Sequence, residues 1–418
     1  MTDLWKSLRI DADRLRADFD ALAVLGSTGD GGVHRPALGE AHLAARAWLK
    51  ERILGSGLEF RIDGAGNHSA LLTCGLPDAP TLLLGSHLDS VPKGGRFDGA
   101  LGVLAALETL RVVKDAGLQG LSLICHLEAI DFTDEEGTLV GLLGSSALAG
   151  SLTSQDLKNP RGGRQALLAG LERAGLTEEG LLSVGRDSGS LAGYLELHIE
   201  QGSRLEKAGV DIGVVSGIVG IGSYSLTFIG RADHAGTTSM ADRLDAAQGA
   251  SAFTLGVREL VMDRFPDCVA NVGWMQFEPG AFNIVPARAT LSLEYRAPVD
   301  SVFDQLEKAL IEQAQVAALD HCLELQVEFL GRHSPVLMSA DVRSAITQSA
   351  NALGLTSTPL ASGAGHDAQS LGQLCPAGMI FIPSVGGVSH SPREFSQWKD
   401  CVNGANVLLQ AALRLAIR

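Results

Sequence analysis

Several histidines and acidic residues of this sequence lie in glycine-rich segments that follow or end apolar runs. The first segment, Gly85–Gly99, follows the apolar run Thr81–Leu84 and contains His87, Asp89 and Asp98. Because open α/β sheets carry their sites on loops at the carboxyl ends of strands, this position favours a functional role. The alternative is a strand, a glycine-rich turn and a helix that hold these polar residues incidentally.

Two more apolar runs lead into acidic or imidazole side chains. Leu121–Ala129 has the composition of a buried parallel strand and is followed by Glu135 and Glu136, and the strand-like segment Tyr194–Ile199 contains His198. Imidazoles and shared carboxylates are typical ligands of zinc, manganese, cobalt and nickel ions. We therefore predict one metal site, whose candidate ligands are His87, Asp98, Glu135, Glu136, His198 and His390.

The types and spacing of these residues allow a centre with two ions. Two ions about 3.5–4 Å apart need a bridging group, and Asp98 in its glycine-flanked turn can bridge. If the chain is extended there, His87 and Asp89 share a face, so Asp89 can hold the far imidazole nitrogen. Of Glu135 and Glu136, one can bind metal while its neighbour moves a proton from water to a leaving nitrogen. The alternative for the glutamate pair is a solvated turn.

Composition bounds the class of protein and its partners. The chain has 418 residues, of which 45% are hydrophobic and 19% are charged, which predicts two or three globular domains. A net charge of −15 without a cluster of lysines or arginines argues against nucleic acid or an anionic membrane as a partner. No apolar run is long enough to span a bilayer, and the first residues, Met1-Thr-Asp-Leu-Trp-Lys, lack the basic-then-apolar order that is expected of a secretory signal. Scattered cysteines without a paired motif predict reduced thiols and a cytoplasmic location.

The order of the predicted elements indicates an α/β domain that is interrupted by a second unit. Residues 1–209 and 330–418 are predicted to form the α/β domain, with helices between apolar strands. Residues 210–329 show strands interrupted by two helices, which is typical of a compact α+β unit with an antiparallel sheet.

A series of blocks in this sequence resembles the M20-type metallohydrolases, and most closely their amidase branch. That branch comprises N-carbamoyl-L-amino-acid hydrolases, allantoate amidohydrolases and β-ureidopropionases. The resemblance spans about residues 20–415 and is carried, in this order, by GSHLDSVPKGGRFDGALGV, DFTDEEG, LELHIEQG, GRADHAGTTSM, FNIVPARATLSLEYR, SGAGHDA and SVGGVSHSP. The histidine of HIEQG is typical of the amidase branch, where other relatives usually present an acidic residue.

The resemblance implies a fold and a set of roles. It implies a metallopeptidase-like catalytic domain with a mixed, largely parallel sheet flanked by helices, and an inserted ferredoxin-like lid and dimerisation domain. It further implies two divalent ions per subunit, which Asp98 bridges, and a general acid/base, Glu135. The remaining implied ligands are His87, Glu136, His198 and His390.

The resemblance also assigns residues to the substrate. His234 of the inserted unit would reach the site of a partner subunit in a homodimer and stabilise the tetrahedral intermediate. Asn283 and Arg296 would hold the substrate carboxylate, for which a guanidinium is well suited. Gly363 and Gly365 would offer backbone groups.

The predicted reaction is the hydrolysis of a linear amide, most simply of an N-carbamoyl-L-amino acid to the amino acid, ammonia and carbon dioxide. The alternatives are hydrolysis of allantoate, of β-ureidopropionate or of an N-acyl amino acid, and a catalytically silent dimeric binding protein on the same fold. Two departures from the family pattern bear on the substrate. The sequence has Thr138-Leu-Val where many carbamoylases have an Arg-Phe stretch, and Ile221-Gly-Ser where allantoate amidohydrolases often carry Gln and Arg.

Overall fold

A computed structural model describes residues 4–74, 76–117 and 123–417. The described chain divides into two compact units, a larger unit of Met1–Ser216 with Met338–Arg418 and an inserted unit of Gly217–Leu337. In the described residues, no helix has both the length and the apolar character that a membrane span requires.

The elements follow one another along the chain. The strands are β1 (Glu59–Ile62), β2 (His68–Leu72), β3 (Thr81–His87), β4 (His126–Phe132), β5 (Leu191–Ile199), β6 (Ile212–Ile218), β7 (Gly220–Ile229), β8 (Val269–Glu278), β9 (Arg288–Ala297), β10 (Glu324–His333), β11 (Val336–Leu337), β12 (Ser357–Ser362) and β13 (Ala377–Ile382). The helices are α1 (Leu4–Ser7), α2 (Ala12–Val24), α3 (Glu40–Gly55), α4 (Ala100–Asp115), α5 (Leu143–Leu148), α6 (Ser154–Lys158), α7 (Arg164–Ala174), α8 (Glu178–Leu182), α9 (Arg204–Ala208), α10 (Ala246–Arg264), α11 (Asp300–Asp320), α12 (Ala340–Ala352), α13 (Asp367–Leu371) and α14 (Trp398–Ala416).

The larger unit is built on a mixed sheet with the strand order β1-β2-β4-β3-β5-β13-β6-β11, in which β12 pairs with β6. The four central strands β4, β3, β5 and β13 are parallel, and the strands outside them pair antiparallel. Because parallel strands end at the same edge, the loops after these four strands meet there. This sheet, with its flanking helices, confirms the predicted fold of the larger unit.

Strand β4 is fully buried although it contains two carboxylates. Glu128 accepts hydrogen bonds from the guanidinium of Arg186 at 2.7 and 2.8 Å, and Asp131 accepts one from Arg46 at 2.8 Å. Paired and hydrogen-bonded, these charges are tolerated in the core. They also explain why β4 extends to Phe132, beyond the apolar run that the sequence suggested, whose first residues, 121 and 122, lie outside the described chain.

The inserted unit has the element order β7-α10-β8-β9-α11-β10 and one antiparallel sheet of order β10-β7-β9-β8. Along β9 the side chains alternate between buried and half-buried, as expected when helices cover one face of a sheet. Its core joins that face to α10 and α11 through residues such as Phe228, Phe253 and Phe303. The arrangement is the ferredoxin-like α+β unit that was predicted.

Two differences from the sequence prediction concern the larger sheet. The segment from 210 to 221 was expected to begin the inserted unit, but β6 within it pairs with β13 and β11 in the larger sheet. Strand β13 was not predicted at all, although it is a buried member of the parallel core. Its apolar run is only as long as the strand, so it lacks the periodicity that distinguishes a strand from other buried segments.

Candidate metal centre

The first group of candidate ligands lies at the carboxyl ends of β3 and β5. His87 is the last residue of β3, His198 is the penultimate residue of β5, and Asp98 directly precedes the N-terminal glycine of α4. Asp98 Oδ1 lies 3.0 Å from His198 Nε2 and 3.5 Å from His87 Nε2. The three side chains are buried and can present one ligand atom each to a common ion.

The second group uses the other oxygen of the same aspartate. Asp98 Oδ2 lies 3.6 Å from Nε2 of His390, in the loop after β13, and this nitrogen lies 3.3 Å from Oε2 of Glu136, in the loop after β4. Asp98 therefore faces each group with a different oxygen, which is the geometry that a bridging carboxylate requires. The structure thus brings together all the residues that the sequence suggested as ligands.

The protonation of the imidazoles indicates that a cation belongs between these groups. Nδ1 of His87 lies 3.1 Å from the carbonyl of Asp89, and Nδ1 of His198 lies 2.8 Å from the carbonyl of Ile199. Because a carbonyl only accepts, the neutral rings carry their protons on Nδ1 and direct Nε2 lone pairs at Asp98. For neutral rings that contact is repulsive unless a metal ion or a proton lies between the atoms, and Nε2 of His87 is a buried atom without a hydrogen-bond partner in the described chain. The donor set therefore fits divalent ions such as zinc or manganese.

The electrostatics of the cluster are dominated by burial and by opposite charges at short range. Burial raises the pKa of Glu135 and of Glu136 well above the usual glutamate range. Burial would also raise the pKa of Asp98, but His198 and His87 outweigh it and lower that pKa well below the usual range. Burial opposes the charge on His87, yet Glu135 and Asp98 raise its pKa well above the usual value. Cations therefore stabilise this centre strongly.

Glu135 is placed beside the first group but belongs to neither group. Its Oε2 lies 3.5 Å from Nε2 of His87. The backbone N–H groups of Glu135 and Glu136 donate to the two carboxylate oxygens of Asp89, each over 3.3 Å. Asp89 was predicted to hold His87 through its carboxylate, but that oxygen lies 3.8 Å from Nδ1, and the backbone carbonyl is the acceptor instead. The carboxylate of Asp89 instead binds the backbone of the loop that carries Glu135 and Glu136.

Three residues at the centre were not found from the sequence. The side-chain amide of Gln201 donates to Asp98 Oδ2 over 2.7 Å, and the Ser389 hydroxyl lies 3.1 Å from the same oxygen. Oε1 of Glu394 accepts the backbone N–H groups of Phe97 and Asp98, each over 3.0 Å. Polar residues in loops have no periodicity, so only the block resemblance, in which Gln201 and Ser389 occur, gave a signal for them.

Gly99 shows why the opening loop needs its glycines. Its φ is +62°, and a Cβ atom there would lie 2.5 Å from Nε2 and Cε1 of His87. Its N–H donates to Nε2 of His198 over 3.3 Å. Any side chain at this position would therefore displace His87, so the glycine allows His87 and Asp98 to meet.

Gly363 and Gly365, predicted to contact the substrate, lie in the turn between β12 and α13. The turn ends at His366, whose Nε2 lies 2.9 Å from the Ser362 hydroxyl and whose ring stands edge-on to that of His198, with centroids 4.5 Å apart. The turn is thus adjacent to the first ligand group, and the role of its glycines stays a prediction.

In the inserted unit, His234 and Asn283 lie together. His234 forms a bridge with Ile284, and the N–H of Ala235 donates to the carbonyl of Asn283 over 3.0 Å. Nδ1 of His234 accepts the N–H of Gly236 over 3.0 Å, which leaves Nε2 as the protonated nitrogen of the neutral ring.

Arg296 lies at the other end of the same sheet. It pairs with Ile221 and Val269, whereas Asn283 lies beyond Arg288, where β9 begins. The strand between Arg288 and Arg296 is about 26 Å long at 3.3 Å per residue. The inserted unit therefore does not bring Asn283 and Arg296 together. The guanidinium of Arg296 donates to Oε1 of Glu294 over 2.8 and 3.0 Å.

Comparison with known proteins agrees with this architecture. Residues 83–414 match the model of peptidase family M20/M25/M40, so the chain belongs to that family. It is 36% identical to an N-carbamoyl-L-amino acid amidohydrolase of Geobacillus stearothermophilus over 97% of this chain and 99% of that protein. It is 33% identical to an allantoate amidohydrolase of Bacillus subtilis over 94% of this chain and 95% of that protein.

A solved structure shows the same fold over the whole chain. An amidase of the hydantoinase/carbamoylase family from Burkholderia multivorans superposes with a TM-score of 0.87 at 34% identity, covering 99% of both chains. The predicted membership of the M20 family and of its amidase branch is therefore confirmed. The roles of the individual site residues stay predictions.

Proposed function

We propose that this protein hydrolyses an N-carbamoyl-L-amino acid, consuming one water and releasing the L-amino acid, ammonia and carbon dioxide. The observation that carries the proposal is the carboxylate of Glu135, buried beside two ligand groups that share Asp98. A base next to paired cation sites is suited to the attack of water on an amide carbonyl. The names of the similar amidohydrolases support the ureido group as that amide.

The residues of the chain have separate tasks in this reaction. Divalent ions at the two donor groups would supply Lewis-acid activation of water and of the substrate carbonyl. Glu135 accepts a proton from the attacking water on its carboxylate and returns it to the leaving nitrogen. Because burial raises the pKa of Glu135, its protonated form is favoured between the two transfers. Asp89 orients this carboxylate by fixing the backbone N–H of the same residue.

The inserted unit is proposed to complete the site in a homodimer. His234 donates a hydrogen bond to the oxyanion that forms on the attacked carbon. Asn283 and Arg296 contact the polar ends of the substrate, of which the α-carboxylate suits a guanidinium. Because one lid cannot present both residues to one small substrate, we propose that they serve different metal centres of the dimer.

Allantoate is the second candidate substrate. The identity of 33% to the allantoate amidohydrolase of Bacillus subtilis favours it. Allantoate has a second ureido group that needs additional polar contacts, and the start of β7 has Ile221-Gly-Ser, with only the short hydroxyl of Ser223, where allantoate amidohydrolases often carry Gln and Arg. This difference favours the carbamoyl amino acid.

The test is a substrate panel on metal-depleted protein that has been reloaded separately with Zn²⁺, Mn²⁺, Co²⁺ or Ni²⁺. We expect ammonia from N-carbamoyl-L-amino acids in at least one metal form, and bound metal by elemental analysis in the same sample. Ammonia from allantoate or N-carbamoyl-β-alanine alone, or release of an amino acid only from N-acyl substrates, contradicts the proposal. A protein that binds no divalent ion would favour a silent binding protein.

The proposed location is the cytoplasm. Cys125, Cys268, Cys375 and Cys401 are buried and carry free thiols. Unpaired thiols are usual for proteins of a reducing compartment. Fractionation of the native source with an antibody against the chain tests the location.

A further inference from the structure

The loop that carries Glu136 continues into a stretch of backbone that is contacted by the guanidinium of an arginine. This stretch, the glycine shelf, is formed by Gly137 and Gly141, whose φ angles are +73° and +101°. A Cβ atom on Gly137 would lie 2.6 Å from Nη1 of Arg161, and one on Gly141 would lie 3.8 Å from its Cζ and Nη2. The guanidinium therefore occupies the space that a side chain at Gly137 would fill, and it lies within ordinary contact distance of Gly141.

The backbone next to Arg161 is bound to the same loop through Gly162. The N–H of Gly162 donates to the carbonyl of Leu139 over 2.7 Å. A Cβ atom on Gly162 would lie 2.1 Å from the carbonyl oxygen of Thr138, so the two loops approach as closely as backbone allows. The backbone next to Arg161 is thus held against the loop that carries Glu136.

The tip of Arg161 has no partner among the described residues, in contrast to Arg164 and Arg96. The side chain is exposed and forms no hydrogen bond or ion pair with any residue that the structure describes. By contrast, Arg164 pairs with Glu178, and the guanidinium of Arg96 stacks over the rings of Phe19 and Phe97. A free guanidinium in a chain of net charge −15 is available to an anion from solution.

We propose that Arg161 on the glycine shelf forms an anion subsite that reads a side-chain carboxylate of the substrate. Gly137, against which Nη1 of Arg161 lies, directly follows the candidate ligand Glu136, and consecutive Cα atoms are about 3.8 Å apart, so Arg161 contacts the same loop that carries Glu136. A guanidinium fork binds a carboxylate through two parallel hydrogen bonds. Resting on the proposed function, this subsite assigns the substrate to N-carbamoyl derivatives of acidic L-amino acids.

The test compares two substrates of nearly the same shape that differ in charge, N-carbamoyl-L-aspartate and N-carbamoyl-L-asparagine. We expect the wild-type protein to have the higher kcat/KM for the aspartate derivative. Arg161→Gln should lower that value about 10- to 100-fold, as expected for lost hydrogen bonds to a charged group, and leave the asparagine derivative unchanged. Lys158→Gln, which removes the same charge three residues earlier, should retain the preference.

The subsite is overturned if Arg161→Gln affects both substrates equally, or neither. It is also overturned if Lys158→Gln reproduces the loss, since that would make the effect one of net charge. Binding of L-aspartate and L-asparagine by calorimetry, on the same three proteins, gives a readout that needs no turnover. If the protein hydrolyses allantoate and no carbamoyl amino acid, the proposed function fails. Tighter binding of L-aspartate than of L-asparagine, lost in Arg161→Gln, would then still support the anion subsite, and its absence would contradict it.

Discussion

Asn283 and Arg296 lie at opposite ends of the sheet of the inserted unit, with about 26 Å of strand β9 between Arg288 and Arg296. Asn283 is held next to His234 by the hydrogen bond between Ala235 and Asn283. A carbamoyl amino acid is much shorter than this separation. His234 and Arg296 therefore cannot act on one substrate from the same lid.

Subunit mixing tests this consequence. His234→Ala and Arg296→Ala homodimers should each be nearly inactive, because each lacks an oxyanion donor or a carboxylate partner. Mixed in equal amounts and allowed to exchange, they should recover about one quarter of the wild-type activity, because each hybrid dimer contains one intact site.

The matched control for subunit mixing is a pair of variants from the same end of the lid. His234→Ala mixed with Asn283→Ala should recover no activity. One lid supplies both residues to the same metal centre, so each centre of a hybrid dimer lacks one of them. Recovery in this control, or none in the first mixture, would contradict the division of the lid between two sites. Gel filtration of each variant should give the elution volume of the wild-type protein.

Replacing Glu135 by glutamine should abolish turnover while the metal content persists. The amide has the size of the carboxylate but cannot accept the proton of the attacking water. Since Glu135 belongs to neither ligand group, the loss of kcat should reach at least about 100-fold, the lower range for general acid–base catalysis. Elemental analysis of the same sample decides the matter, because a variant that is inactive only through metal loss would show a lower stoichiometry.

The shared carboxylate predicts a pattern of metal loss. His390→Ala should remove one of two ions, because Nε2 of His390 faces only the second group. His198→Ala should remove the other, and Asp98→Ala should weaken both, since each of its oxygens faces one group. His366→Gln is the control, since its ring touches His198 but faces neither group. Equilibrium dialysis with Mn²⁺ should give two ions for this control; equal loss in all variants would contradict two separate groups.

The clustering of most candidate ligands could be predicted from the sequence because these residues follow or end apolar runs. His87, Glu136 and His198 lie at the ends of β3, β4 and β5, and parallel strands end at one edge of a sheet. His390 was included among the candidates without a strand to place it, because β13, the strand that positions its loop, was not predicted. A short apolar run such as Ala377–Ile382 is ambiguous until its neighbours in the sheet are known.

The contacts between distant loops could not be derived from sequence spacing. Glu394 and Gln201 reach Asp98 from loops far along the chain, and the sequence distance between them carries no information about contact. Sequence spacing also could not show that Asn283 and Arg296 lie at opposite ends of the sheet. Their thirteen-residue spacing predicts proximity or separation depending on whether the chain between them turns or extends, and β9 extends.

Asp134 should be necessary for the position of the glutamate pair although it touches no ligand group. It is buried, and its carboxylate accepts the N–H groups of Leu139, Val140 and Gly141 over 3.0, 2.6 and 2.9 Å. In Asp134→Asn the amide would face one of these donors, which should cost about 2 kcal/mol of stability. We expect a lower kcat at unchanged quaternary structure, measured beside the free energy of unfolding.

The control for Asp134 is the same exchange in the capping box of α6. Asp156 accepts hydrogen bonds from the N–H and hydroxyl of Thr153 at the N-terminus of this helix, and no candidate site residue lies there. Asp156→Asn should lower stability by about 1 kcal/mol and leave kcat unchanged. An unchanged kcat in Asp134→Asn as well would show that the loop keeps its position without this carboxylate.

The buried imidazole of His42 should make the fold less stable in acid. Nδ1 of His42 accepts the N–H of Leu38 over 2.9 Å, and burial lowers the pKa of His42 well below its usual value of 6.5. Below pH 6.5 the imidazole of His42 is protonated in the unfolded chain but stays neutral in the folded protein. The free energy of unfolding is therefore unaffected by His42 above that pH and decreases as the pH falls below it. One such proton changes the free energy of unfolding by about 1.4 kcal/mol per pH unit.

Denaturant unfolding between pH 7 and pH 5 measures this contribution. In His42→Asn, the side-chain oxygen can still accept the N–H of Leu38 but does not titrate, so the slope of the unfolding free energy against pH should decrease by up to about 1.4 kcal/mol per unit. His68, whose pKa is lowered to about 3 by burial, continues to contribute in the variant and keeps the remaining slope nonzero. Equal slopes in the wild-type protein and in His42→Asn would mean that His42 takes up its proton without unfolding.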